Sequence, residues 1–347
     1  MRFVRKTRIL NLNKPDWQWS SPAEQDVDPV ALATAFDEIA RFQSLRSVLV
    51  ARNGFLIGEY YADASFRSTA INAHSVSKSI LSLLTGIAVR EGWLKDMNQP
   101  IADWLPEYFD ANTDARKRSI TLRHLLTMSA GLGWIENPVS MRHWRHSADW
   151  VKHAIALPLV AMPGRQFNYN TTLTHLLSVI LARVSGMSTL ALAERTLFGP
   201  LGIEGVDWRA DPQGYYIGGT DLYLRPQDML TLGQMVLAGR EQNQSSVVPA
   251  AWITESTHTQ IELRQPGFWH PAYKNYGYLW WLRTLQSYDA VVASGYAGQL
   301  VFIVPRLGLV VATTADDTTP FANVMKQSNL IEGIVEDLII PAVQEDY

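Results

Sequence analysis

Residues 74–94, HSVSKSILSLLTGIAVREGWL, decide how this 347-residue chain folds. From Ser79 to Leu94 the apolar residues recur at helical spacing and share one face, formed by Ile80, Leu83, Leu84, Ile87 and Ala88. A helix with such a continuous apolar face packs against a core. We expect this helix to be buried and to begin at or just after Ser75.

The start of this helix carries a serine and a lysine three residues apart, Ser75 and Lys78. Residues at this spacing share a helix face, so the lysine amine is expected beside the serine hydroxyl. A serine hydroxyl is a weak nucleophile until a base takes its proton, and a buried lysine can serve because burial disfavours its charged form. The free N–H groups of the helix start also favour developing negative charge. The motif alone is common, and its place before an apolar helix makes Ser75 a candidate nucleophile.

Strand patterns lie on both sides of this segment, towards the two ends of the chain. Ser47–Ala51 and Phe55–Tyr61 are β-rich runs joined by Arg52-Asn53-Gly54, and Asn-Gly is a strong hairpin signal. Near the other end, further strands are predicted over Tyr276–Leu282, Tyr288–Ala293, Gln299–Val304 and Leu309–Thr314. We expect one antiparallel sheet assembled from both ends.

Helical spacing predominates in the rest of the chain. The predicted helices are Pro29–Phe42 with Asp28 as its cap, Leu122–Met128, Trp150–Leu157, Leu173–Val184, Gln227–Leu237 and Ala322–Ile339. The chain is therefore predicted to be α+β, with an antiparallel sheet from both chain ends, flanking helices and an inserted, mainly helical lobe. We expect residues 1–95 and 250–347 to form the α/β lobe and residues 96–249 the helical lobe, with the active-site cleft between them.

A second candidate element is Tyr169-Asn170-Thr171, which follows a Pro-Gly turn and precedes the helix predicted over Leu173–Val184. A tyrosine at this place could project into the cleft. Its phenol is a credible proton shuttle if Lys78 favours the phenolate. A tyrosine before a helix is more often a packing residue, so Tyr169 gains weight only beside the other elements.

The third candidate element is residues 294–299, Ser-Gly-Tyr-Ala-Gly-Gln, which lead into an apolar strand. Glycine in a strand pattern often marks the close approach of a ligand or another backbone. We expect substrate to dock along this edge, beside Tyr296 and Gly298, and the backbone N–H groups of Gln299 and Ser75 to form an oxyanion hole. A plain β-bulge explains these glycines equally well when the stretch is taken alone.

In their order along the chain, the three elements resemble the serine β-lactamase and penicillin-binding protein family, in its class C branch with esterases, D-aminopeptidases and 6-aminohexanoate-dimer hydrolases. Further matching blocks are Ile120–Leu132, Pro163-Gly164 and Phe198–Ile203. The resemblance implies Ser75 as the acylated nucleophile, Lys78 as its hydrogen-bonded partner and Tyr169 as the group that passes the proton to the leaving group. It also implies hydrolysis of the acyl-enzyme by water, with no metal or organic cofactor.

Two departures from the family pattern bear on the substrate. Thr171 stands where the family has the asparagine that holds an acyl amide, and Tyr296-Ala297-Gly298 stands where it has Lys-Thr-Gly. The second change removes the cation that would meet a penicillin carboxylate. We therefore expect a small ester or an amide as substrate, with weak or no β-lactamase activity.

Composition and net charge exclude several kinds of partner and of functional site. The formal net charge is -3, so no single-sign field would attract nucleic acid, and the expected partner is a small ester, amide or short peptide-like molecule. The chain has no cysteine, which excludes disulfides, thiolate metal sites and a cysteine nucleophile. The oligomeric state stays open.

No apolar stretch in the sequence reaches the roughly 20 residues that a membrane-spanning helix needs. Four basic residues near the start, Arg2, Arg5, Lys6 and Arg8, are typical of a signal peptide, but no continuous apolar run follows them. We therefore expect a cytoplasmic protein, or a periplasmic or secreted one if a presequence has been removed.

The histidines are interpreted as structural. His143 and His146 have the spacing of a metal pair, but no third ligand stands out, and no metal site is predicted. His124 and His175 lie beside leucines in helical patterns. His74 is expected to point away from the nucleophile at the start of the helix.

Two segments are expected to shape the cleft because of their position in loops: residues 134–149 and 262–274. Trp134 and Glu136 in the first of them are candidates to reach the cleft. The chain has 12 tryptophans, and lining the cleft and packing the core are equally good explanations for those in loops.

A fold of this family that has lost turnover and binds a peptide or cell-wall fragment is the main alternative, and the retention of Ser75, Lys78 and Tyr169 counts against it. An α/β-hydrolase is excluded because the sequence contains no G-x-S-x-G.

Overall fold

The computed structural model of the chain describes residues 17–242, 247–264 and 271–343. The strands within these ranges are β1 (Leu45–Arg52), β2 (Phe55–Tyr61), β3 (Ile71–Asn72), β4 (Asp207–Trp208), β5 (Leu222–Leu224), β6 (Ile261–Glu262), β7 (Tyr273–Tyr276), β8 (Trp281–Leu285), β9 (Tyr288–Gly295), β10 (Gln299–Val304) and β11 (Leu309–Ala315). Eight of them form one antiparallel sheet in the order β2-β1-β11-β10-β9-β8-β7-β6, and the other three form a small sheet in the order β3-β5-β4.

The helices of the described residues surround these sheets. They are α1 (Pro29–Ile39), α2 (Val76–Arg90), α3 (Leu122–Leu126), α4 (Pro138–Arg145), α5 (Trp150–Ala156), α6 (Thr171–Ser185), α7 (Thr189–Ala193), α8 (Pro226–Gln242), α9 (Ala250–Ser256) and α10 (Phe321–Ile334). A π-helical turn over Val335–Ile339 continues α10. The predicted α+β class is confirmed.

Strands from opposite ends of the chain pair with each other within the sheet. β1 lies between β2 and β11, in a register that places Val50 opposite Val311. Every residue of β10 and β11 is buried, which requires helices on both faces of the sheet. The prediction of one sheet built from both chain ends is therefore confirmed.

One predicted strand is wrong. The run Tyr276–Leu282 was expected to be a single strand, but β7 ends at Tyr276 and β8 begins at Trp281. The backbone turns between them because Gly277 comes so close to Ser256 that a Cβ there would lie 2.2 Å from the Ser256 carbonyl oxygen. Leu279 adopts a positive φ of 63° and donates its N–H to the Leu126 carbonyl outside the sheet.

Helix α8 bears on the predicted division into lobes. It lies within residues 96–249, which the sequence assigns to the helical lobe, yet it packs on β1, β10 and β11. Gly233 allows this close packing, since a Cβ there would lie 2.6 Å from Val301. The division of the chain at residues 95 and 250 remains a prediction.

A search of the described residues for membrane-spanning helices finds no single helix of sufficient length and apolarity. One bent pair, Thr171–Ser185 with Thr189–Leu201, meets the length and composition criteria together, across a bend of 73°. The basic residues Arg2 to Arg8 lie outside the described part of the chain.

Candidate active site

Ser75 is the residue at which helix α2 begins. The short strand β3 leads to it, and the Ala73 N–H donates to the Leu222 carbonyl, so the small sheet fixes the approach of the chain. Ser75 is the N-cap residue of α2. The prediction that the helix begins at or just after Ser75 is confirmed.

Lys78 lies in the first turn of α2 and is 1% exposed. Its Nζ donates to Ser75 Oγ at 2.9 Å and to the Gly219 carbonyl at 2.8 Å. Burial lowers the pKa of Lys78 to about 8, and the carboxylate of Glu136 opposes this by raising it. Relative to a pKa near 10.5, the change disfavours the ammonium by about 3 kcal/mol. The structure thus brings Ser75 together with an amine that is substantially neutral near pH 8.

Gly219 lets the Lys78 amine come this close to a carbonyl group. A Cβ at position 219 would lie 2.9 Å from Lys78 Nζ, 2.8 Å from Thr174 Oγ1 and 2.6 Å from Thr171 Cγ2. Contacts under 3.0 Å are essentially never seen for a real Cβ. A side chain at this position would therefore displace the amine from Ser75.

Tyr169 lies just before α6, whose first N–H groups are capped by the side chain of Asn170. Its phenol is hydrogen-bonded to Ser75, and its ring lies 5.1 Å from Lys78 Nζ and stacks on Trp281 at 5.4 Å. Burial raises the pKa of Tyr169, and the carboxylate of Glu136 raises it further. The phenol is therefore held neutral, whereas the sequence made its role as a proton shuttle conditional on a phenolate favoured by Lys78.

Glu136 links Thr171 and Trp134, the two other predicted site residues on the same side of the cavity as Tyr169. Its carboxylate accepts from the Thr171 hydroxyl at 2.5 Å, from the Thr171 N–H at 3.1 Å and from the Trp134 indole N–H at 2.5 Å. Glu136 and Thr171 line the cavity beside Ser75, whereas Trp134 is not among its lining residues. The indole acts by holding the carboxylate in place.

The end of strand β9 forms the other side of the site. Pairing of β8 with β9 ends at Trp281 and Val292, so the last residues of β9 extend beyond its neighbour. Ser294, Gly295 and Tyr296 line the cavity. The free edge predicted for substrate docking is therefore present at these residues.

The structure does not bring Gln299 and Gly298 together with Ser75. Neither residue lines the cavity. Gln299 is wholly buried, and its side chain donates to the carbonyls of Tyr296 and Ala315, while Gly298 packs against Ile331. Within this stretch Ser294, Gly295 and Tyr296 border the cavity, so a part for Gln299 in an oxyanion hole stays a prediction to which the cavity lining gives no support.

Gly295 brings β9 next to the turn that carries the nucleophile. A Cβ at Gly295 would lie 2.5 Å from the Ala73 carbonyl oxygen. Only a residue without a side chain allows these two backbones to touch. The backbone after Gly295 is thereby held beside Ser75.

The cavity has a volume of about 540 Å³, and its lining has an apolar part and a polar part. Its apolar lining includes Tyr273, Trp281, Phe321, Val324 and Met325, and its polar lining includes Asn72, Asn137, Arg145, Thr220 and Asp221. Arg145 is paired with Asp221 at 2.5 Å. Five residues of the segment 134–149 line the cavity, namely Glu136, Asn137, Pro138, Met141 and Arg145; in the second expected loop, Tyr273 does so, and residues 265–270 lie outside the described residues.

His74 lies in the cavity wall, which corrects the expectation that it points away. Its φ of 48° is left-handed, and this conformation was not visible in the sequence. His124 accepts from the Thr121 N–H and His175 is buried against Asp211, contacts that suit the structural role expected for these two histidines. No cluster of the described residues could hold a metal ion.

A sequence profile of the Beta-lactamase family matches residues 47–332. The chain belongs to the Beta-lactamase family. The resemblance inferred from the Ser75, Tyr169 and Gly295 blocks is confirmed, and so is the fold that it implies. Proteins of the Beta-lactamase family are serine hydrolases, and the chain is an enzyme of that class.

Named relatives of this Beta-lactamase-family enzyme include two hydrolases. Esterase EstB of Burkholderia gladioli is 24% identical over 226 residues, which cover 56% of the chain and 57% of EstB. The 6-aminohexanoate-dimer hydrolase of Paenarthrobacter ureafaciens is 23% identical over 312 residues, covering 84% and 78%. Among solved structures, EstCE1, described as a hydrolase with promiscuous acyltransferase activity, has a TM-score of 0.68 at 17% identity, covering 87% of the chain and 99% of EstCE1.

Sequence reasoning missed several residues of this Beta-lactamase-family site. Gly219 and Asp221 lie outside the recognised blocks and no local pattern marks them, whereas Arg145 lies in the segment 134–149 that was expected to shape the cleft. The glycine pair Gly218-Gly219 was the one available signal, because adjacent glycines often mark a close backbone approach.

Proposed function

We propose that the enzyme forms an acyl-enzyme at Ser75 and hydrolyses a small ester or amide, with weak or no β-lactamase activity. The observation that supports this most directly is the buried Lys78 amine, 2.9 Å from Ser75 Oγ and with a pKa lowered to about 8. A base so placed can accept the serine proton near neutral pH.

Acylation then follows from the contacts around Ser75. The Oγ attacks the substrate carbonyl carbon while the neutral Lys78 amine takes its proton. The neutral phenol of Tyr169 donates its proton to the leaving group and regains one from Lys78, so the C–O or C–N bond breaks without net proton loss. We assign the oxyanion contacts to the backbone N–H groups of Ser75 and Tyr296, because both residues border the cavity.

The charges of the cavity support a substrate without the penicillin carboxylate. Among the described lining residues, Arg145 supplies the guanidinium, and Asp221 already pairs with it. Glu136 and Glu332 add further acidic groups to the lining. Burial raises the pKa of Glu332 to about 7, and Arg283 contacts it at 2.5 Å. An anionic substrate would meet more carboxylates than free cations here.

The names of the relatives support the same range of substrates. One is called an esterase and another a 6-aminohexanoate-dimer hydrolase. The apolar lining that includes Trp281 and Phe321 suits the alkyl part of such esters or linear amides.

The test is hydrolysis of short-chain p-nitrophenyl esters and linear amides, with a chromogenic cephalosporin alongside. Ser75→Ala should abolish ester turnover, and Ser82→Ala is the matched control because its buried hydroxyl lies on the same helix without a hydrogen-bond partner. Ester turnover that survives in Ser75→Ala would contradict the proposal. Absence of Ser75-dependent turnover with every compound would favour the silent binding protein instead.

A further inference from the structure

The side chain of Asn72 joins the two stretches of backbone that lie next to Ser75 and to the Lys78 amine. Asn72 is the last residue of β3 and precedes the turn into Ser75. Its Oδ1 accepts from the His74 N–H at 2.9 Å and from the Asp221 N–H at 3.2 Å. Its Nδ2 donates to Asp221 Oδ1 at 3.2 Å. One amide thus ties the turn before the nucleophile to the residue that precedes β5.

Both backbone N–H groups that Asn72 accepts belong to residues in the left-handed region. The φ of His74 is 48° and that of Asp221 is 58°. Residues with a side chain adopt this region infrequently, and a buried N–H without an acceptor destabilises the folded state. Asn72 therefore stabilises two uncommon backbone conformations, whose N–H groups would lose their acceptor if its oxygen were removed.

The loop that ends at Asp221 carries the second acceptor of the Lys78 amine. The Gly219 carbonyl, two residues before Asp221, accepts from Lys78 Nζ at 2.8 Å. On its other side the loop touches α6, because a Cβ at Gly218 would lie 2.0 Å from a carbonyl oxygen of that helix. The loop is therefore confined between α6 and Lys78, and the bonds from Asn72 fix its end. A shift at Asp221 would move the carbonyl that holds the amine.

Asp221 extends the same contacts to α4. Its Oδ2 accepts from Arg145, the last residue of α4, at 2.5 Å, while Oδ1 accepts from Asn72. This arrangement requires an amide at position 72, because the oxygen offers two lone pairs to two N–H groups and the nitrogen offers a hydrogen to a carboxylate. An ionised aspartate could accept both N–H groups but has no hydrogen to donate to Asp221.

We propose that Asn72 is a positioning residue of the acylation step. It holds the turn of Ser75 and the carbonyl that anchors Lys78 in one fixed geometry, so that the nucleophile and its base face the substrate carbonyl together. Displacement of a reacting group by about 1 Å can cost on the order of 100-fold in rate. The inference rests on the acyl-enzyme of the proposed function, and Asn72 itself exchanges no proton with the substrate.

The variant Asn72→Asp tests this role. It keeps the two acceptor contacts but places a second carboxylate against that of Asp221, and like charges repel. With p-nitrophenyl acetate, the maximal rate of the first turnover, measured from p-nitrophenol release, should fall about 100-fold. The ester concentration that gives half of this rate should stay near the wild-type value, because contacts with bound substrate are kept. Asn112→Asp adds the same charge at an exposed position and should keep the wild-type rate.

Exchange of the two side chains supplies a rescue. In the double variant Asn72→Asp/Asp221→Asn a carboxylate again accepts from an amide, so the rate should return to within about tenfold of wild type. Asn72→Ala removes the contacts without adding a charge and should lower the rate about tenfold. This variant decides the question if Asn72→Asp does not fold, and the melting temperature of every variant is measured to check folding.

Wild-type rates in folded Asn72→Asp and Asn72→Ala proteins would overturn the inference and leave Asn72 a purely structural contact. A loss confined to the half-saturating ester concentration would overturn it as well, because Asn72 would then contact the substrate. The same holds for a folded double variant that is as slow as Asn72→Asp. A wild type whose intact mass never shows an added acetyl group would instead overturn the proposed function, and the inference with it.

Discussion

The side of the cavity at Lys78 and Tyr169 is sealed, whereas the side formed by the end of β9 and the start of α10 is open to solvent. Lys78 and Tyr169 are 1% and 5% exposed, but Phe321 is 48% exposed. On the sealed side, exclusion of water shifts pKa values and fixes proton positions. On the open side, substrate and water can exchange. We therefore expect proton transfer on the first side and substrate selection on the second.

The largest effect should come from removing the base of the sealed side. Lys78→Met should lower kcat/KM for a p-nitrophenyl ester about 1,000-fold without lowering the melting temperature, because a thioether tolerates burial better than an amine. Lys117→Met is the matched control: its amine is buried against the Ile155 carbonyl, away from the site. Equal losses in both variants would mean that Lys78 acts only through folding.

A smaller loss is expected when the amine is displaced but kept. Gly219→Ala places a Cβ within 2.9 Å of Lys78 Nζ, and misplacement of a reacting group by about 1 Å can cost on the order of 100-fold in rate. Gly333→Ala adds the same methyl group to a helix with only an ordinary contact, 3.5 Å from Asp337, and should leave kcat unchanged. Wild-type kcat in Gly219→Ala would show that the amine position is not critical.

The pH dependence of acylation tests whether the Lys78 amine on the sealed side is the base. Because the pKa of Lys78 is lowered to about 8, its amine is protonated well below that pH and neutral above it. The acylation rate should rise about tenfold per pH unit below the pKa and level off above it. Glu136→Gln removes the charge that raises this pKa, so its rate should level off at lower pH. A rate that falls as the pH rises through 8 would exclude Lys78 as the base.

The smallest effect on activity is expected from a substitution on the open side. Phe321→Ala should change the ratio of kcat/KM between butyrate and acetyl esters by about tenfold or less, because half of the ring is exposed. The pH profile of acylation should stay as in wild type. A shift of that profile in Phe321→Ala would show that the two sides are not independent.

The sealed side was largely predictable from sequence and the open side was not. The Ser75–Lys78 contact follows from helix geometry over three residues, and the strands on both sides of it follow from local alternation. The sequence could not show that Tyr296, and not Gln299, borders the cavity, because this depends on the register in which β9 pairs with β10. The place of His74 in the cavity wall was not predicted, because its positive φ depends on a hydrogen bond to Asn72.

The pairing of β1 with β11 has a consequence for how the enzyme is made. The two strands are separated by more than 250 residues of chain, so a nascent polypeptide holds Ser75 outside the ribosome long before its sheet can close. Until β11 emerges, β1 and β10 each present an unpaired edge, which is the usual template for aggregation. Such long-range closure is slow. The sheet is therefore completed only when the last strands have been synthesised. A product truncated before Leu309 would lack β11, and with it the complete sheet on which the active site is built.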